Sequence, residues 1–159
     1  MFKHLTDHWN TQRRMERSTV LIVGCGQLGT ILAERLSRDG YAVVVIDRSA
    51  EALRQLGPGY GGHAICGDAS NLDILRDAGV ESAQLFIAAT RTDTLNIMLG
   101  IAARRVFKVQ TVIVRIDDPS LEAAITEEAI TVIDPVRIAA DLLLQTMLGA
   151  QLEAMEAGS

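Results

Sequence analysis

The 159-residue chain is poor in the side chains that most often carry chemistry: two cysteines, two lysines and three histidines. Two cysteines leave no room for a zinc cluster. Cys25 lies inside a glycine loop and Cys66 at the end of an apolar run. Both read as small buried hydrophobes in a reducing compartment, with a redox role as the alternative. An excess of cations is also missing. Fifteen Lys+Arg stand against twenty Asp+Glu, a net charge of −5, which argues against sequence-independent binding to a nucleic-acid backbone. The one basic cluster, Arg13, Arg14 and Arg17, has acids beside it and reads as a solvated face. No apolar run approaches the ~20 residues needed to cross a bilayer. Residues 1–18 are too charged for the apolar region of a signal peptide. The expectation is a soluble, cytoplasmic protein with no direct membrane insertion.

Catalytic constellations are missing too. His4 and His8 lie near the amino terminus, which leaves His63 alone in the body of the chain. The lysines are Lys3 and Lys108, and neither Tyr41 nor Tyr60 has a lysine four residues on. No Ser/His/Asp set or metal-ligand cluster is recognisable. No repeat, low-complexity tract or interior linker divides the sequence, and its length fits one domain that buries a core without staples.

What the chain does have is concentrated near its start. Val20-Leu-Ile-Val-Gly-Cys-Gly-Gln-Leu-Gly29 is an apolar strand that breaks into Gly24-x-Gly26-x-x-Gly29 and then into a helical pattern. A second strand, Val43-Val-Val-Ile-Asp47, ends in an acid 18 positions after Gly29, near the roughly 20 expected of a dinucleotide-binding fingerprint. Gly24 allows the tight turn, Gly26 lets the backbone approach a phosphate, and Gly29 lets the helix pack close to the strand. The helix starting near Gln27 aims its free N–H groups at the anion, and the Asp47 carboxylate can accept from ribose hydroxyls. The bland alternative is a glycine-rich turn that binds nothing.

The rest alternates strand and helix. Residues 1–17 form an arm, with residues 3–15 either a short amphipathic helix or loose. Strands are predicted at about 19–23, 42–46, 63–66, 85–89, 111–115 and 130–133. Helices are predicted at about 27–39, 50–56, 71–78, 92–106, 119–124 and 136–156, with Ser49 and Asn71 as caps and Gly40 and Gly79 as stops. This is an α/β, Rossmann-like, doubly wound parallel six-stranded sheet of order 3-2-1-4-5-6. Its switch point lies between the first and fourth strands. The carboxyl ends of the strands carry the glycine loop, Asp47, Gly67-Asp68-Ala69 and Ala89-Thr90, and ligands bind at that edge.

These segments resemble the regulator-of-potassium-conductance (KTN, or TrkA N-terminal) family. The resemblance rests on Gly24–Gly29, Val45-Ile-Asp47, Gly67-Asp68-Ala69, Leu75 with Ala78-Gly79, Ala89-Thr90 with Asp93 and Asn96, Val112-Ile-Val-Arg115 and Ile133-Asp-Pro135. It covers about residues 18–148. It implies a nucleotide-binding domain over 18–134, followed by a C-terminal helix over 135–159 that serves for dimerisation. It further implies a cytosolic regulatory subunit that binds NAD(H) or AMP, ADP or ATP. Such a subunit self-associates as a dimer or ring and gates a membrane-embedded potassium channel or transporter, at the inner face of the membrane. The cofactor-binding set carried over is Gly24, Gly26, Gln27, Leu28, Gly29, Asp47, Arg48, Gly67, Asp68, Ala69, Ala89, Thr90, Asn96 and Arg115.

Several of these residues have a second reading. Asp68 reaches an adenine edge or caps the next helix. Thr90 donates to ribose or phosphate, or caps its helix. Asn96, three residues after Asp93 on the same helix, lines the site mouth or only ties loops together. Arg115 offsets phosphate charge or pairs with Asp117 or Asp118. Arg48 stacks on adenine or tolerates a 2′-phosphate, against which Asp47 argues through like-charge repulsion. Two departures stand out. Gln27 occupies a position where many family members have arginine, which weakens the case for a triphosphate. The further C-terminal ligand domain of many relatives is expected to be missing or supplied by another chain.

The last helix carries Ile138, Leu142, Leu143, Leu144, Met147, Leu148, Leu152 and Met155. That surface is wider than the stripe of a monomer's surface helix, and it predicts either packing on the chain's own sheet or a shared helix in a dimer. Two rival functions use the same residues: a small NAD-dependent oxidoreductase, which lacks an evident acid/base group here, and an assembly subunit whose site has decayed.

Overall fold

The computed structural model of the chain describes residues 18–157; the predicted arm over 1–17 lies outside the described residues. The sheet elements are β1 (Thr19–Val23), β2 (Ala42–Asp47), β3 (His63–Cys66), β4 (Leu85–Ala88), β5 (Thr111–Arg115) and β6 (Thr131–Ile133). The helices are α1 (Gln27–Arg38), α2 (Ala50–Leu53), α3 (Leu72–Asp77), α4 (Asp93–Ile101) and α5 (Pro135–Ala157). All pairings are parallel, in the order β3-β2-β1-β4-β5-β6. In the centre of the sheet, Ile22 stands beside Val45 on one side and Ile87 on the other. The Rossmann-like architecture and strand order match expectation.

The central strands read as continuous apolar runs because both faces are covered. Leu21, Val23, Phe86 and Val114 face one buried cluster, while Val20, Ile22, Val45 and Ile87 face the other with Ala33 of α1. The edges differ. On β3, His63, Ala64 and Cys66 are exposed, so the expectation of a buried Cys66 fails: a strand at the sheet edge has nothing beyond it. Cys25 is buried, and burial raises its thiol pKa.

Three helices depart from their predicted form. The segment after Ser49 makes one α turn, with the Ser49 hydroxyl accepting from Ala52 N–H, and then closes through i→i+3 bonds as far as Leu56. Residues Pro119–Ile125 form a 3₁₀ helix, capped by Asp118. The α4 helix widens into a π-helix over Ala102–Val106, where Phe107 N–H reaches the Ala102 carbonyl at 3.1 Å and the ring enters the core. The α5 helix runs from Pro135 to Ala157, and every residue from Val136 to Gly149 is exposed. Among the described residues no helix is long and apolar enough to cross a membrane.

Candidate functional site

The carboxyl ends of β1, β2, β4 and β5 bring together most of the residues singled out by the sequence, and the glycine loop forms the first lip of this crevice. Gly24 has φ 105°, and a Cβ there would lie 2.8 Å from the Ala89 carbonyl carbon. A Cβ at Gly29 would lie 1.9 Å from the Gly24 carbonyl oxygen. Both glycines are demanded by the chain itself, one by conformation and contact, the other by contact. Gly26 is different. Its backbone is extended (φ −78°, ψ −168°) and a Cβ would meet nothing within 4 Å. Neither strain nor packing requires glycine there, whereas a ligand approaching the main chain would.

Gly26 is also the N-cap of α1. No side chain caps that end, and no acid lies in its first turn. The first bond back is from Thr30 N–H to the Gly26 carbonyl, at 2.9 Å. The preceding N–H groups of the first turn lack intrahelical acceptors and carry the positive end of the helix dipole. Gln27 is exposed at this end, while Leu28 turns its side chain into the apolar cluster and offers only its main chain.

Asp47 is half-buried at the end of β2, and its carboxylate already has two partners. Oδ2 accepts from Cys25 N–H at 2.7 Å and Oδ1 from Ser49 N–H at 2.8 Å. The sequence did not reveal this tie between β2 and the glycine loop, although an aspartate two residues before Ser49 is an Asx-turn signal. Each carboxylate oxygen keeps a further lone pair for a hydroxyl donor. Arg48 is exposed beside it. Gly67 N–H bonds to the Asp47 carbonyl at 3.0 Å. Asp68 is exposed and closes a turn onto Ser70 N–H at 2.9 Å. Bonds from Ser70 and, to a smaller degree, the charge of Arg48 hold its carboxyl below the usual pKa. Ala69 and Ala89 are buried, so neither offers a side chain to the crevice. Ala89 N–H bonds to the Val23 carbonyl at 2.8 Å, backing the glycine turn.

On the other lip, polar side chains bond to one another. Asn96 is completely buried. Its Oδ1 accepts from Thr90 N–H at 3.0 Å and from Thr90 Oγ1 at 2.6 Å. Its Nδ2 donates to the carbonyls of Thr90 (3.0 Å) and Arg115 (2.9 Å). With no exposed surface, Asn96 ties loops together, the second of the two readings open to it. Arg115 forms a two-pronged pair with Asp117, Nε–Oδ1 2.8 Å and Nη2–Oδ2 2.6 Å. The alternative reading of that residue is thus the one observed. Asp93 Oδ2 accepts from the N–H groups of Asp117 (3.0 Å) and Asp118 (2.9 Å).

Among the described residues, no group of three His, Cys, Asp or Glu side chains is placed to hold a metal. A cavity of about 300 Å³ lined by Ser37, Tyr41, Val43, Gly62 and His63 sits at the amino ends of β2 and β3, away from these loops.

Residues 20–135 match the TrkA-N domain family. The Trk system potassium uptake protein TrkA of Streptomyces coelicolor is 36% identical over 136 residues, which cover 86% of this chain and 61% of that one. The chain therefore spans about three-fifths of the length of this relative. The TrkA-N domain of the inner membrane protein ybaL from Escherichia coli superposes with a TM-score of 0.72 at 27% identity, over 81% of this chain and 96% of that domain. The GsuK channel bound to NAD gives 0.71 at 25% identity, over 86% of this chain and 24% of the channel chain. GsuK bound to ADP gives 0.64 at 27%, over 81% and 33%.

Proposed function

The chain belongs to the TrkA-N domain family, and from that premise we propose that it is a nucleotide-sensing regulatory subunit of a potassium channel or transporter. Its ligand is NAD(H) or an adenine nucleotide (AMP, ADP or ATP), bound in the crevice between the β1 and β4 loops. The observation that carries this reading is Gly26, a glycine open to solvent that the fold itself does not need. In this reading the N–H groups at the start of α1, over Gly26, Gln27, Leu28 and Gly29, receive the phosphates. Asp47, held by Cys25 and Ser49, accepts from the ribose, and Arg48 lies over the adenine. Asp68, with Gly67 and Ala69 forming its turn, meets the adenine edge. Thr90 and Ala89 close the far wall, with Arg115 behind them. GsuK, a relative by fold and sequence, is a channel found with NAD and with ADP.

The membrane partner supplies the pore, and this chain sits at the inner face of the membrane through that partner. A second copy of the chain covers α5. Leu142, Leu143, Leu144, Met147 and Leu148 are each more than half exposed there, an apolar surface of the kind monomers seldom leave open. Nucleotide binding then alters the angle between the paired domains and biases the gate, because the ligand has different affinities for the two arrangements.

Calorimetric titration of the purified chain with NADH, NAD+, AMP, ADP and ATP tests the site. Saturable heat with at least one is expected, and no heat with any returns the chain to the decayed assembly subunit. Gln27 puts no cation at the start of α1, so ATP should gain least. Leu143→Glu should lower the sedimentation-determined mass toward the monomer without changing stability by more than ~0.5 kcal/mol, as for exposed sites generally. An unchanged mass rejects α5 as the interface.

A further inference from the structure

We infer that Asp93 and Asn96 form a clamp that carries occupancy of the crevice to the root of α5, acting as positioning residues. This inference rests on the nucleotide reading of the crevice.

The geometry begins with how α5 is held. From Val136 to Gly149 the helix is exposed all round, so its direction is set at its first turn. Asp134 caps that turn, with Oδ1 accepting from the N–H groups of Val136 and Arg137 at 3.0 Å and its carbonyl accepting from Ile138 N–H at 3.0 Å. One residue earlier, Ile133 pairs with Arg115 of β5 and accepts from Ile116 N–H at 3.0 Å. The root of α5 is therefore fastened to the segment Arg115–Asp118.

That same segment is fastened to the crevice wall. Asn96 bonds the Arg115 carbonyl with one N–H and the Thr90 carbonyl with the other, while its oxygen takes the Thr90 N–H and hydroxyl. Asp93, three residues earlier on α4, takes the next two free amides of the segment, Asp117 and Asp118, on a single oxygen. Thr90 lies at the carboxyl end of β4, directly after Ala89, against which Gly24 packs. A ligand that draws on the Thr90 hydroxyl competes with its 2.6 Å bond to Asn96. The disturbance passes to the Arg115 carbonyl and from there to the β6–α5 junction. Length amplifies it: at 1.5 Å per residue the helix is about 34 Å long, so a tilt of ~5° at the root moves its far end by ~3 Å.

Hydrogen exchange of the first-turn amides of α5, Val136 to Ile138, tests the clamp on the full chain with and without saturating NADH or ADP, at one fixed protein concentration. In the unaltered protein the nucleotide should change exchange at these amides by at least about fivefold, the lower end of ordinary site-to-site coupling. Asp93→Ala should keep nucleotide affinity within about threefold, as the side chain faces the Asp117 and Asp118 amides, yet cut the exchange response below about twofold. Asp93→Asn should restore the response, because both amides bond to one oxygen and an amide oxygen can replace it. That rescue separates a clamp from a merely folded loop. Nucleotide binding with no change at Val136–Ile138 overturns the clamp and leaves the nucleotide site standing, as does a full response in Asp93→Ala. Absence of binding to the unaltered protein overturns the site reading and the clamp together.

Discussion

Along the lip formed by Gly24–Gly29, Asp47 holds the Cys25 N–H, and the N–H groups that follow at the start of α1 have no side-chain partners. Along the lip formed by Thr90, Asp93, Asn96, Arg115 and Asp117, the polar side chains bond to other parts of the chain. The first lip is shaped by what glycine omits and keeps the donors at the start of α1 for a ligand. The second is a network whose members hold each other, so its role is to keep loops in register. A buried polar network is stabilising only while every member is satisfied, and none of the described buried polar side chains lacks a partner. The open N–H groups of the first lip therefore answer to affinity, whereas the bonded side chains of the second answer to stability.

The largest effect expected comes from testing two glycines of one loop against each other. Gly29→Ala forces a methyl to within 1.9 Å of the Gly24 carbonyl oxygen. Helix α1 must move off β1, at about 3 kcal/mol or more, the upper range of overpacking. Gly26→Ala meets no atom, and the small cap loss and the reduced freedom of the unfolded chain roughly offset. Stability by urea unfolding should stay within ~0.5 kcal/mol, while nucleotide affinity falls tenfold or more, the equivalent of ~1.4 kcal/mol. If Gly26→Ala binds as tightly as the unaltered chain, the open glycine is not where a phosphate sits and the contrast between the lips collapses.

Asn96→Leu comes next. It fills a similar space but strands the Thr90 amide and the Arg115 carbonyl, and it should cost about 2–3 kcal/mol in urea unfolding, since a buried group left unpaired loses about 1–3 kcal/mol. A loss under ~1 kcal/mol would mean that water or loop movement replaces the network. Asp47→Ala belongs to both lists. Two main-chain amides lean on its carboxylate, so its removal reaches the fold as well as the ligand. About 1–2 kcal/mol of stability should go along with ribose affinity. Asp47→Asn, which keeps an acceptor, should recover more of the stability than of the binding.

Strand order was legible because strands buried on both faces leave apolar runs, and the caps Ser49 and Asn71 were legible because their side chains bond amides two or three positions on. The end of α4 was not. A π turn is defined by a bond five residues back, which a 3.6-residue apolar period does not register, and the chain leaves it through Lys108 in the left-handed region instead of a glycine. Cys66 was misread because its apolar tetrapeptide suggests burial, although the predicted strand order already places that strand at the sheet edge, where one side of it has no neighbour. In the crevice, the glycine spacing announced the first lip. Asn96 joins Thr90 to a carbonyl 19 residues away, and only the pairing of β4 with β5 makes those positions neighbours. The apolar excess of α5 was evident from its leucines, and its exposure follows from the absence of a facing element among the described residues, not from its own pattern.

The smallest effect probes whether the second lip is electrostatic at all. The bond from Arg115, reinforced by its charge, holds the Asp117 carboxyl below its usual pKa, and the same bond raises the pKa of Arg115. A carboxyl depressed in the folded state adds stability that is present above its unfolded pKa of about 3.9 and drains away as the pH falls through the lower folded value. With the Asp117 side chain 41% exposed, solvent screening limits the contribution to ~0.5 kcal/mol or less at neutral pH. Asp117→Asn should show that small deficit at pH 7, converge on the unaltered protein as both are taken below pH 3, and lose the difference in about 1 M salt, where screening extends only ~3 Å. A deficit well above 1 kcal/mol that survives both acid and salt would show that Asp117 works through shape, as Asn96 does, and that charge has no separate part in holding this lip.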